Sequence, residues 1–326
     1  MTDHTLPPST RGIAFILVGM AAISINDLLI KQLSGGYPLH EIVLIRSVIG
    51  ICLSLVLVHF EGGLSILKTT QPFMHLLRGL LVVVSNMAFF VALAAAPLAD
   101  VTALFFAAPL FITLLSIPLL GEKVGMLRIG AVFAGFVGVL IMQRPWDSGE
   151  TLETSRAVLL LPVLAALAYA LMQLLTRKLG ATTKASALAV YIQAMFIPVS
   201  LGFYLVAGDG AMAENLDSPA LFFLLRAWSM PSAYDWLFLF GLGVNTTVIG
   251  YCLSQAYRLS SAATVAPFEY IGLPLAVFWG WLLWSDIPDW EVWVGMALIM
   301  GSGLFVYFRE KQKQRQIART RVKLPY

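Results

Sequence analysis

Six ionisable side chains lie within or at the edge of long apolar runs of this sequence: Asp27, Lys31, Glu41, Arg46, Asp100 and Glu269. A charge held in hydrocarbon costs about 2.5–3.5 kcal/mol on insertion scales, so each of them needs a partner or a wet cavity. Asp27 and Lys31 are four residues apart, on one helix face and able to pair. Glu41 and Arg46 are five apart and share a face less well, so Arg46 is expected to reach Asp27 on the neighbouring helix. With Asp100 these residues form an expected cluster toward one side of the membrane. It acts either as an ion-pair tie for the first hairpin or as an outer gate whose pairs form and break. Glu269 stands apart, near mid-membrane, with no lysine or arginine expected at similar depth on another run. Three roles are open to it: counter-charge for a cationic or zwitterionic substrate, proton-binding site, or protonated acid bonded to a neighbouring helix.

A second set is neutral. Asn86, Gln193 and Asn245 fall near the middle of their runs, and Gln173 and Gln255 nearer one end. Amides donate and accept, so they bind a polar solute or hold helices together. With Glu269 and Tyr270 they are the expected lining of a substrate cavity. Tyr169, Tyr191 and Tyr251 are further wall candidates, and Phe89, Phe105 and Phe268 apolar ones.

The elements that must position these groups are membrane spans. Of 326 residues, 59% are hydrophobic and 12% charged, and the mean hydropathy is +0.84. Soluble domains carry about 25% charged residues. A span needs about 20 apolar residues. Ten runs qualify: 12–33, 40–60, 73–95, 98–120 and 125–142, then 157–179, 185–207, 234–257, 261–284 and 290–308. They are apolar all round, which excludes the alternating strands of a membrane barrel. The expected fold is therefore an all-α polytopic membrane protein of ten transmembrane helices, the first retained rather than cleaved. Lysine and arginine concentrate on one side of these runs, at Arg11, Lys68, Arg78, Lys123, Arg128, Arg177, Lys178, Lys184, Arg258 and the tail, which places both termini in the cytoplasm. Trp146, Trp228, Trp236, Trp284, Trp290 and Trp293 gather at the opposite interface, as do most acidic residues. The basic tail, 309–326, reads as a juxtamembrane anchor that meets anionic lipid, not as a nucleic-acid binder. Cys52 and Cys252 lie in apolar runs and suggest no disulfide framework.

The halves echo each other. "APLADVTALFFAAPLFITLLSIPLLGE" begins at Ala96, and "YRLSSAATVAPFEYIGLPLAVFWGWLLWSD" at Tyr257. Each has a small-residue entry, a mid-helix proline (Pro109, Pro274) and an acidic exit, and a glycine-rich helix follows. Five spans per half is odd, so the second half enters the bilayer inverted, the design of alternating-access carriers. The expected organisation is a cytoplasmic N-terminus 1–11, repeats at 12–142 and 157–308, a periplasmic linker 143–156, and the tail 309–326.

The chain resembles the ten-span EamA branch of the drug/metabolite transporter superfamily. The resemblance rests on "DLLIK" at 27–31, Arg46, the segment "RGLLVVVSNMAFFVALAAAPLADVTALFFAAPLF" from Arg78, "LLGE" at 119–122 and "AYRLSSAATVAPFEY" at 256–270. It implies a bundle around a central cavity lined largely by spans one, three, four, six, eight and nine. Carriers of riboflavin, S-adenosylmethionine and amino acids are among the members it resembles.

No metal-ligand spacing, nucleophile elbow, Walker loop or dinucleotide fingerprint occurs, which argues against an enzyme and against a bound cofactor. The expected function is secondary transport of a small polar or amphipathic metabolite (amino acid, vitamin or nucleoside-like) across a bacterial inner membrane. Protons are a candidate coupling ion and a homodimer a candidate assembly. The rival class is a non-transporting scaffold or sensor, from which substrate flux into liposomes would separate it.

Overall fold

The computed structural model describes residues 8–121, 125–143, 156–214, 216–260 and 265–322. Several positions used above lie outside the described residues. They are the first seven residues, Glu122 and Lys123, the linker with Arg144, Trp146, Asp147, Glu150 and Glu153, residues 261–264, and Lys323.

All regular elements among the described residues are helical. In chain order they are α1 (Pro8–Leu33), α2 (Leu39–Glu61), α3 (Pro72–Ala95), α4 (Leu98–Phe105), α5 (Ala108–Leu120) and α6 (Met126–Gln143). Then come α7 (Arg156–Leu179), α8 (Ala185–Ala207), α9 (Pro219–Leu225), α10 (Asp235–Leu259), α11 (Gly272–Trp284) and α12 (Trp290–Val322). Among the described residues, seven segments are long and apolar enough to cross a membrane, counting α4 and α5 together as Leu98–Leu120. Three more apolar stretches are shorter: Ile129–Met142, Phe268–Trp284 and Trp290–Phe305. The chain is an all-α polytopic membrane protein. "Upper" here denotes the end with the α1–α2 turn, and "lower" the end with Glu61 and Leu179.

Two segments are broken, and proline explains both. Pro109 offers no N–H, and its ring crowds the carbonyl of the residue four before it, Phe105. The helix accordingly stops at Phe105 and restarts at Ala108. Pro274 stands in the same relation to Tyr270, and here a 3₁₀ turn, Ala266–Ile271, precedes α11. The two echoing prolines of the sequence thus mark two discontinuous helices. Gly121, with φ 68°, ends α5 in the left-handed conformation that glycine adopts without strain.

The most extensive packing pairs are α1 with α10, α3 with α7, α6 with α12 and α2 with α8; α2 with α10, α5 with α7, α8 with α10, and α4 with α11 follow. The glycine-rich helices α6 and α12 meet backbone to backbone. A Cβ on Gly138 would lie 2.8 Å from the Gly295 carbonyl oxygen, and one on Gly295 2.9 Å from that of Gly138. Small residues permit this approach, and it supplies the dispersion contacts that hold helices together in lipid. The outward surface carries Phe133, Leu205, Leu237 and Leu282, all exposed, as a lipid-facing bundle requires. Trp236, Trp290 and Trp293 are exposed near the upper end, in keeping with an interfacial aromatic belt.

Candidate substrate site

A central cavity with about 140 Å³ of water-accessible space opens between α1, α2, α3, α4, α7, α8, α10 and the broken α11 segment. Polar groups collect at its upper and lower ends, with aromatic rings between.

The upper group is built on Arg46, which is 2% exposed. Its Nη1 donates to Asn26 Oδ1 at 3.2 Å and its Nη2 to Asn86 Oδ1 at 3.0 Å. Asn26 Nδ2 donates to Asp27 Oδ1 at 3.3 Å. Arg46 therefore meets Asp27 through the Asn26 amide, and the two charges attract across it. The guanidinium also sits over two rings, 5.2 Å from the centre of Phe90 and 5.4 Å from that of Phe196. Such cation–π contacts are worth about 2 kcal/mol when desolvated.

The lower group centres on Glu269, 2% exposed, at the broken start of the α11 segment. Its Oε1 accepts hydrogen bonds from Tyr257 at 2.6 Å and Tyr169 at 3.0 Å. The Tyr169 oxygen in turn accepts from Gln173 Nε2 at 2.7 Å. Arg78 forms the other lower wall. It is 2% exposed and donates to Thr176 Oγ1 at 2.7 Å, the Leu188 carbonyl at 3.0 Å and Ser254 Oγ at 3.5 Å. One side chain on α3 thereby ties α7, α8 and α10 beneath the cavity.

Of the cavity residues expected from sequence, Asn86, Gln193 and Glu269 line it, joined by Asp27 and Arg46. Asn245 and Tyr270 are not in its wall. Successive helical residues turn by about 100°, and on α10 it is Thr246, Ile249 and Gly250 that face inward. Tyr270 is buried, packed on the Phe106 ring at 5.9 Å and close to Gly303. Tyr169, Phe89 and Phe105 line the cavity as expected. Tyr191 and Tyr251 instead bond at the lower end, to the Leu67 carbonyl at 2.6 Å and to Glu61 Oε1 at 2.9 Å.

The five residues expected in one outer cluster divide among three sets of contacts. Asp27 and Arg46 belong to the cavity. Lys31 does not pair with Asp27: it donates to the Ala96 carbonyl at 3.0 Å and lies 3.9 Å from Asp286 Oδ2. Asp27 turns toward Asn26, whereas Lys31, one turn nearer the upper end, finds a partly exposed carboxylate there. Asp100 is within electrostatic reach of Lys31. Glu41 accepts from the Ser229 N–H at 3.2 Å and attracts Arg226. Arg226 itself lies outside the spans, and partial burial lowers its pKa.

Two expectations need correction. Arg78 was grouped with the cations at the lower interface, yet it is buried and lines the cavity. Its position six residues inside α3 was the available signal. Glu269 therefore does share its cavity with arginines, Arg46 and Arg78. Asn26 and Thr102 were also missed; Asn26 is an amide next to a singled-out aspartate. The second and seventh spans, through Arg46 and Gln193, contribute to a wall that the family resemblance assigned largely to others.

Comparison with known proteins bears on what such a cavity does. The EamA-like transporter family profile matches residues 10–144. A riboflavin transporter of Vibrio cholerae is 32% identical over 94% of this chain and 93% of its own. An S-adenosylmethionine uptake transporter of Rickettsia prowazekii is 26% identical over 95% of this chain and 97% of its own. A protein crystal structure with 17% identity superposes with a TM-score of 0.63, covering 92% of this chain and 98% of that one. It shares the fold.

Proposed function

The chain belongs to the EamA-like transporter family, and from that premise we propose that its cargo is a flat, oxygen-bearing heterocycle of the riboflavin type. It is a multi-pass protein of the bacterial inner membrane and a secondary transporter of a small polar metabolite, not an enzyme. The observation that carries the substrate reading is the cavity wall. The rings of Phe89, Phe90, Phe105, Phe106, Phe196 and Tyr169 line a space whose wall also holds two arginines, Arg46 and Arg78, and several amides. Aromatic walls favour a planar solute by stacking, and a few placed polar groups fix its orientation.

Protein in liposomes free of other components is expected to take up labelled riboflavin saturably. Folded protein that moves neither riboflavin nor S-adenosylmethionine would overturn both cargo readings and leave a different small polar metabolite as the cargo. A second cargo reading is favoured by Asp27 and Glu269, two carboxylates on the wall that suit a cation such as S-adenosylmethionine. Competition between the two compounds decides between them. For a neutral heterocycle, the partner left for Glu269 is a proton, which makes it the coupling site. For a cation, Glu269 is the counter-charge.

The transport cycle follows from ten spans arranged as two inverted repeats at 12–142 and 157–308. Exchanging the two halves maps the α1–α10 pair onto α7–α3 and leaves α2–α8, α4–α11 and α6–α12 unchanged, and all five of these pairs occur in the packing, beside the α2–α10, α8–α10 and α5–α7 contacts. The two broken segments also correspond, and both reach the cavity, as in carriers that rock around a central site. In this reading both termini are cytoplasmic and the linker 143–156 periplasmic. Reporter fusions after Arg177 are then active as cytoplasmic markers and fusions at Asp217 as external ones; a cytoplasmic Asp217 would undo both the span count and the inversion.

A further inference from the structure

Four of the helices that line the cavity form two tightly packed pairs. α1 with α10 and α3 with α7 are the most extensive contacts of the bundle, while α1 meets α3, and α7 meets α10, far less. Packed pairs of this kind shift as bodies more readily than they come apart. Bonds that run from one pair to the other at the two ends are therefore what holds the cavity shut.

Such bonds exist at each end, and both sets start from a basic residue in the last turn of a helix. At the upper end Lys31 of α1 donates to the carbonyl of Ala96, the residue that ends α3, at 3.0 Å. At the lower end Arg177 of α7 donates to the Tyr257 and Arg258 carbonyls, in the last turn of α10, at 3.5 and 3.3 Å. Arg258 answers by donating to the Gly180 carbonyl, just past the end of α7, at 3.2 Å. The last carbonyls of a helix lack partners within it and form the negative end of its dipole, so a cation that reaches them makes a charge-assisted bond. Deeper in the cavity each outer tie is backed by an inner one. Arg46 joins Asn26 of α1 to Asn86 of α3 on the upper side, and Arg78 of α3 reaches Ser254 of α10 at 3.5 Å on the lower.

The two outer ties occupy matching places in the sequence. Aligning "LLIKQLS" from Leu28 with "LLTRKLG" from Leu174 sets Lys31 against Arg177 and Ser34 against Gly180. The Ser34 carbonyl is also covered by an arginine, Arg226 at 3.4 Å, but this one comes from the end of α9 and bridges neither pair to the other. The lower exchange is thus reciprocal between α7 and α10, whereas the upper tie runs one way, from α1 to α3.

We propose that Lys31 and Arg177 are counterpart latches of the transport cycle. The Lys31 tie closes the upper end of the cavity and the Arg177–Arg258 exchange the lower, one releasing while the other holds. The inference rests on the inverted-repeat, rocking reading and names the bonds that the motion breaks.

The test follows one cysteine in the cavity wall, Ile249→Cys on α10, in a chain whose Cys52 and Cys252 are replaced by alanine. A membrane-impermeant maleimide is applied to either face of vesicles of known orientation. Loss of a charge-assisted bond that holds one end shut should raise the labelling rate from that face about tenfold. Lys31→Gln is expected to raise it from the upper face only, and Arg177→Gln and Arg258→Gln from the lower face only. Arg177→Lys keeps a cation and should stay closer to the parent than Arg177→Gln. Arg258→Gln reads the same latch if Arg177→Gln does not insert. General loosening of the bundle would raise labelling from both faces alike. That result, an unchanged lower face in both arginine variants, or a rise from the same face in Lys31→Gln and Arg177→Gln overturns the latches. Labelling needs no cargo, so these outcomes are independent of riboflavin flux. Failure of the inverted reading itself would appear separately, as a cytoplasmic Asp217 in the fusion assay.

Discussion

Arg46→Ala is expected to abolish measurable transport and to destabilise the folded protein by about 3 kcal/mol, the usual cost of removing one partner from a buried charged network. The change strips hydrogen bonds from Asn26 and Asn86 and leaves Asp27 in the cavity wall without the cation that faces it. It also removes the charge lying over Phe90 and Phe196. Thermal unfolding in detergent measures the stability loss and liposome flux the activity. Adding Asp27→Asn to Arg46→Ala should recover part of the stability, because the orphaned carboxylate is then neutral. The double-mutant cycle should give a coupling above about 1 kcal/mol. Strict additivity would mean that Asn26 insulates the two charges from each other. Glu41 is excluded as the alternative partner, since it is engaged with Ser229.

Glu269→Gln is expected to leave a folded, inserted protein whose transport falls about tenfold or more, with little remaining pH dependence between about pH 5.5 and 8. Glutamine keeps an oxygen that can accept from Tyr169 and Tyr257, so the helix contacts survive. It loses the ability to gain or release a proton. The groups around the site are Tyr169 and Gln173 on α7, Tyr257 on α10 and Tyr270 beside it, with Arg78, Arg46 and Asp27 on the same cavity wall. Among these, two groups are carboxyls, Glu269 and Asp27, and of the two Asp27 faces the Arg46 guanidinium while Glu269 is bonded to tyrosine hydroxyls. If protons couple inward flux of a neutral cargo, parent uptake rises as external pH falls, because the cargo travels with protonated Glu269. The mutant should lose that slope while its unfolding temperature stays close to the parent's. Transport like the parent's across the whole range would assign Glu269 to helix packing alone.

Much of this molecule follows from composition and spacing. Runs of about 20 apolar residues have one stable form in a bilayer, because backbone groups must bond within their own segment. That is why the helical segments and their order were legible in the linear sequence, whereas which of the mid-helix prolines break their helices was not: Pro109 and Pro274 stand at breaks, while Pro118 and Pro198 lie inside continuous helices. The importance of Asp27, Arg46 and Glu269 was legible too, since an ionisable group in hydrocarbon needs a reason. Which neighbour supplies the reason was not legible. Asp27 and Lys31 have ideal pairing spacing, yet Lys31 goes to Asp286 and Ala96 on other segments, while Asp27 is reached through Asn26. Asn245 and Gln193 look equivalent by depth, but helix rotation puts only Gln193 in the cavity wall. Arg78 reads as an interfacial cation until Thr176, Leu188 and Ser254, from three other helices, are seen to close around it. Sequence by itself determined what crosses the membrane and which residues must be accounted for, because solvation acts on each segment alone. Only the tertiary structure decided which of them meet, because helix rotation and pairing are set by packing among segments distant in the chain.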